Sequence, residues 1–150
     1  MHPLKELDRI KNILAFYQPE MICCDAGEGN LHTEELRRLT GWTNRIQKIC
    51  YGSGNAAIKW NPEGYFYNVN RTRAIDSLMM AILRKEFIFS SNKEAMAPAF
   101  DQILAEFVTT THLGRKVWRH SPSDPDDALH AMIFGRIAMQ IIQGEIDLTA

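Results

Sequence analysis

Between Pro19 and Asp25 the chain passes through Met21, Ile22, Cys23 and Cys24. This apolar run is too short for a helix and lacks the alternation of a half-wetted strand. It suits a strand buried on both faces of a parallel sheet, and such a strand commits its neighbours to cover it with helices. The flanking sequence offers them. Upstream, Leu4, Leu7, Ile10, Ile13, Leu14 and Tyr17 recur at helical spacing, and Pro19 closes that helix. Downstream, the turn DAGEGN leads to LHTEELRRLTG, a short helix ended by Gly41, and then to RIQKICYG, a second strand with Ile46 and Ile49 apolar.

The remainder follows the same plan. AAIKWNPEGYFYNVN predicts a β-hairpin, two aromatic-rich runs around the turn NPEG. Asn70 or Thr72 is placed to cap the helix RTRAIDSLMMAILRKEF, whose Ile75, Leu78, Met79, Ile82 and Leu83 form one face. IFSS predicts a short extended piece, EAMAPAFDQILAEFVTTTH a helix interrupted at Pro98, and RKVWRH a brief strand. A closing helix is expected to begin after Ser123. Strand, helix and strand followed by packed helices make an α/β fold. At 150 residues it is expected to form one domain, residues 1–150, long enough to bury a core.

Charge narrows the function classes. With 17 basic and 18 acidic residues the formal net charge is −1, which weighs against gripping nucleic acid by bulk attraction. It does not weigh against an enzyme brought to nucleic acid by a partner. No apolar run approaches the ~20 residues of a membrane span, so no membrane partner is expected. The charged amphipathic N-terminus does not read as a signal peptide. Three cysteines, two of them adjacent, give neither a disulfide ladder nor a C-x-x-C spacing and read as buried thiols of a reducing cytoplasm. Combining Cys23, Cys24 and Cys50 with His32 and His112 fits no zinc pattern.

The acidic residues carry the chemistry. Asp124, Asp126 and Asp127 crowd the start of the last helix. Asp124 is a good N-cap and Pro125 suits the first helical position, and the helix dipole favours Asp126 and Asp127 in the first turn. Asp127 is harder to explain this way. At about 100° per residue its direction coincides with Ala131, Phe134, Ala138 and Ile141, the midline of the stripe expected to be buried. A carboxylate there is costly unless paired, protonated or bound to a cation, and Arg136 points the other way. Asp25 ends the first strand, where ligands gather in open α/β sheets, though a turn-forming Asp before Ala-Gly is the plainer reading. Two such carboxylates suit Mg²⁺ or Mn²⁺. Nearby, His130 stands at i+4 from Asp126 and His120 lies upstream; each is placed to bond a carboxylate or to pack as an ordinary histidine. Lys59, Arg71 and Arg73 are placed to touch DNA phosphates, though solvated surface charge is the plainer reading, since no basic stripe surrounds them. Trp60, Tyr65, Phe66 and Tyr67 fit cross-strand packing better than base stacking.

Taken in order, MICCDAGEGN, the hairpin, VNRTRAIDSLMMAILRKEFIFSS and WRHSPSDPDDALHAMIFGRIA resemble the second half of the nuclease domain of tailed-bacteriophage terminase large subunits. The resemblance covers roughly residues 20–142, and its most specific parts are R-T-x-A-I-D-x-L with the trailing strand in EFIFSS, and P-D-D-A-L-H-A. It implies a partial ribonuclease H-like fold: a short mixed sheet with a β-hairpin, packed by helices and lacking the first three strands. It implies a two-metal Mg²⁺ or Mn²⁺ site that cuts concatemeric double-stranded DNA during packaging. Asp25 and Asp127 would then be catalytic metal ligands, with Asp126 a companion ligand and His120 and His130 behind them. Expected partners are double-stranded DNA, the terminase ATPase part, the small terminase subunit and the portal, in the cytoplasm of a bacterial host.

The family's first strands, with the acidic residue that bridges both metals, have no counterpart here, and no G-x-x-x-x-G-K-[ST] phosphate loop occurs. That implies a truncated, split or degraded gene, weak or no cleavage by the chain alone, and a strand edge open to self-association. Two other readings stand beside the nuclease fragment. One is a catalytically silent module that complements a separate ATPase–nuclease half or docks on the portal. The other is a different ribonuclease H-like nuclease, such as a junction resolvase.

Overall fold

The computed structural model describes residues 3–27, 30–52, 54 and 56–146. Glu28 and Gly29 of the turn expected after Asp25, and the side chain of Leu4 on the first helix, lie outside the described residues. Among those described, five helices accompany a mixed four-stranded sheet and a two-stranded hairpin sheet, an α/β arrangement as expected. The chain divides into two compact units.

The first unit comprises Met1–Cys50, Ile58–Asn68 and Ile137–Ala150. Helix α1 (Pro3–Tyr17) gives way through Gln18, in a left-handed conformation, to β1 (Ile22–Asp25). Helix α2 (Asn30–Thr40) follows and ends where the sequence put its stop: Gly41 takes φ 69° and its N–H bonds the Arg37 carbonyl at 2.9 Å. Strands β2 (Ile46–Gly52), β3 (Ile58–Asn61) and β4 (Phe66–Asn70) complete a sheet of order β1-β2-β4-β3. β1 and β2 run parallel, with Ile22 opposite Ile46 and Asp25 opposite Ile49. In the hairpin turn, Asn61 Oδ1 accepts the Glu63 and Gly64 amides at 3.0 Å each, and the Trp60 and Tyr67 rings pack 4.9 Å apart. Ile46, Ile49 and Tyr67 are fully buried.

Two expectations change here. β1 lies at the open edge that the missing first strands imply, but Ile22, Cys23 and Cys24 are half-buried instead of enclosed on both faces. Burial is still enough, with Cys24 adding to it, to push the Cys23 thiol up to about 12. The apolar face of α1 buries Leu7 but leaves Ile10, Ile13, Phe16 and Tyr17 exposed. A helix with so narrow a covered stripe owes little of its apolar content to this unit's core.

The second unit comprises Tyr51–Ala57 and Val69–Arg136. Helix α3 (Arg71–Leu83) begins under Asn70, whose Oδ1 accepts the Arg73 amide at 3.0 Å. It buries Ile75, Leu78 and Ala81, while Leu83 is exposed. Helix α4 (Lys93–Leu104) is capped by Asn92 and carries Pro98 without a break. Strands β5 (Phe107–Thr110) and β6 (Lys116–Arg119) form an antiparallel hairpin, Phe107 opposite Arg119. Helix α5 (Asp127–Ile142) has its residues up to Arg136 in this unit.

Three boundaries differ from the sequence reading. The helix expected to run through VTTTH stops at Leu104, because the β-branched Val108, Thr109 and Thr110 favour a strand. Ile88 to Ser91 pair with no strand. Helix α5 starts at Asp127, three residues after the Asp124 cap expected, since Asp124 and Pro125 lie in the preceding loop.

Candidate metal centre

In the second unit two short connections, α4–β5 and β6–α5, bring ionisable side chains together. Glu106 sits between α4 and β5, His120 follows β6, and Asp126 immediately precedes α5. None of the Glu106 side-chain surface is accessible. Its Oε1 accepts from Arg71 and lies 3.2 Å from His120 Nδ1, while Oε2 is buried with no hydrogen-bond partner among the described residues. Leaving one oxygen of an enclosed carboxylate unsatisfied costs on the order of 1–3 kcal/mol.

Asp126 holds three cationic or cation-capable groups on one oxygen. Its Oδ2 lies 2.7 Å from His130 Nε2, 3.1 Å from His120 Nδ1 and 3.3 Å from Arg71 Nη2. Burial alone would raise the carboxyl's pKa, but His130, His120 and Arg71 outweigh it and hold it below the usual aspartate value. His130 is fixed from behind: its Nδ1 lies 2.7 Å from the Tyr51 hydroxyl, and its ring packs 5.0 Å from Tyr51. In the neutral imidazole, Nε2–H donates to Asp126 and Nδ1 accepts from Tyr51. Arg71 is anchored by Nη1, which donates to the Trp118 carbonyl at 2.8 Å, and the Trp118 indole N–H donates to Asp76 at 2.7 Å. Gln102 of α4 caps α5 in place of a local residue, its Oε1 accepting the Ala128 amide at 2.8 Å.

Among the described residues, one group of three can offer a donor set for a metal ion: Glu106, His120 and Asp126, each with one ligand atom, all within 4.8 Å of one another. Donors at ~2.1 Å around one ion stand roughly 3–4 Å apart, so small side-chain adjustments suffice.

The sequence candidates fall differently from expectation. Asp25, in the first unit, is exposed; its Oδ2 accepts the Gly27 amide at 3.1 Å, the local turn that was its plainer reading. A Cβ at Gly27 would stand 2.7 Å from that oxygen, so a side chain there would push the Asp25 carboxylate out of this turn. Asp127 opens α5 in the second unit and is exposed, as are Ala131 and Gly135, whereas Leu129, Ile133, Phe134, Ile137, Ala138 and Ile141 are buried. The buried stripe therefore lines up with Asp126 and His130, about one residue's rotation from where the spacing placed it. Neither Asp25 nor Asp127 is among the three donors. His120 and His130 both bond a carboxylate. Arg71 and Arg73 lie in the first turn of α3, and Lys59 is exposed on β3 in the first unit.

Glu106 and Tyr51 escaped the sequence reading. The signal for Glu106 was a single acid inside ILAEFV, where an apolar run turns into a β-branched one. No protein-family model, curated protein or solved structure matches the chain.

Proposed function

We propose that this chain is part of the metal-dependent endonuclease domain of a phage packaging terminase large subunit, with its cation held by Glu106, His120 and Asp126. The observation that carries the reading is Glu106, an enclosed carboxylate with a free oxygen facing no donor, beside Asp126 and an imidazole. Two carboxylates with one imidazole fit Mn²⁺ better than Mg²⁺, which prefers oxygen alone. In this role Asp126 replaces Asp127, and Asp25 is a turn residue of the first unit. A divalent cation at such a site polarises a phosphodiester and makes a nearby water more acidic. The chain's own residues do the rest. His130, braced by Tyr51, orients the Asp126 carboxylate, and Arg71 offers a guanidinium to a phosphate oxygen.

Mn²⁺ added to the purified protein should raise its melting temperature, and the shift should vanish in Glu106→Gln and Asp126→Asn but persist in Asp127→Asn. Slow nicking of plasmid DNA should follow the same pattern. A protein that melts identically with and without millimolar Mn²⁺ would overturn the assignment.

One observation favours the silent binding module as a second reading. Arg71 already neutralises both carboxylates. Binding of DNA without binding of Mn²⁺ would select that alternative.

A further inference from the structure

Beside Arg71 the second unit opens into a shallow cleft of about 660 Å³, within the ordinary range for ligand sites. Four cations line it: Arg71 and Arg73 from the first turn of α3, Arg115 from the β5–β6 turn and Lys116 from β6. No acidic residue is among its lining. Lys116 is held in place by Asp76 at 2.5 Å and lies over the Trp118 ring. Arg71 is turned toward Glu106 and Asp126. Arg73 and Arg115 are exposed and have no acidic partner among the described residues. Like charges gathered without counter-charge repel one another, and a bound anion relieves that cost. The α3 N-terminus adds its positive dipole end from the same side, with Asn70 occupying only the Arg73 amide.

We infer that this cleft binds the phosphodiester backbone of DNA, with Arg73 and Arg115 as its principal contacts and Arg71 and Lys116 beside them. The chemistry favours a strand over a small anion. The cleft is open, its cations come from two separate elements, and an extended polyanion can meet both at once. Of its neutral polar side chains, Asn70 is already used, by the Arg73 amide and by the Gly54 carbonyl at 2.8 Å, and the Tyr51 hydroxyl meets His130, which leaves Thr72 and little else to read bases. The site therefore holds DNA without sequence preference. The inference shares its substrate with the reading above but not its metal.

The test uses fluorescence anisotropy of a labelled 30-base-pair duplex, with EDTA present throughout and KCl varied from 50 to 200 mM. The Arg73→Ala/Arg115→Ala variant should bind on the order of tenfold more weakly at 50 mM. Its log–log salt slope should be shallower by about 1.8, since each phosphate contact contributes roughly 0.9. Arg73→Lys/Arg115→Lys should restore most of the slope, because a phosphate contact needs charge more than fork geometry. Equal affinity of wild type and the alanine variant would overturn the inference. So would displacement of the duplex by inorganic phosphate at submillimolar concentration, which would assign the cleft to a free anion. Because the metal is withheld, a failure to bind Mn²⁺ leaves this result untouched, and a failure to bind DNA leaves the metal assignment untouched.

Discussion

Asp126 earns its place through what surrounds it. One oxygen meets two imidazoles and a guanidinium, and together they overcome the effect of burial and lower its pKa. A carboxyl whose folded pKa lies below its unfolded value stabilises the fold above the unfolded pKa, about 3.9 for aspartate. That contribution disappears as pH falls through the folded value. Urea unfolding between pH 6 and pH 2.5 should therefore show stability declining below about pH 4, and Asp126→Asn should flatten that acid limb. Glu106 differs in kind. Its charge is wholly enclosed, and Arg71 supplies its counter-charge from 35 residues away in sequence. Such a pair is invisible to spacing arguments, because neither residue lies within a helical or strand repeat of the other.

Helix α5 depends on a distant cap. Asp124-Pro125 is the strongest local start signal in the chain, yet the helix begins at Asp127 and Gln102 of α4 bonds the Ala128 amide. Gln102→Ala should cost about 1 kcal/mol in urea unfolding, in the range of a lost N-cap, with little effect on the Asp124→Ala variant by comparison. Where cap, turn and apolar period sat close together in sequence, they were legible. Gly41 ended α2, Asn70 capped α3 and the NPEG turn joined β3 to β4. Where tertiary partners decided, they were not. β5 was hidden because ILAEFV continues the apolar content of α4, and only the β-branched residues after it marked the change. The α5 face was misplaced for a related reason. Phe134, Ala138 and Ile141 are buried in the direction expected, but the stripe runs on through Leu129, Ile133 and Ile137 and leaves Asp127 and Ala131 exposed. Of the candidate centre, Asp126, His120 and His130 could be read from the sequence, whereas Glu106 and Tyr51 could not.

Large apolar side chains are exposed in both units. In the first unit α1 presents Ile10, Ile13, Phe16 and Tyr17 to solvent, with Phe16 80 % and Tyr17 73 % exposed, and β1 is an edge strand. Exposed aromatic side chains beside an edge strand favour association. Sedimentation velocity over a concentration series should show self-association that is reduced in the Phe16→Ser/Tyr17→Ser variant, with its far-UV circular dichroism unchanged. Net charge is a poor guide to what this molecule attracts. A total of −1 coexists with a cleft lined by four cations, because the acids are spent on ion pairs elsewhere.

Arg71 has one positive charge and two groups of claimants. Its guanidinium neutralises Glu106 and Asp126, and the same residue lines the cleft. An anion in the cleft that draws it outward leaves the carboxylates short of a counter-ion and more receptive to a metal. A metal among the carboxylates releases the guanidinium in turn. By reciprocity the two events assist each other to the same degree, whichever comes first. If both proposed sites fill, Arg71 is the side chain through which each would feel the other.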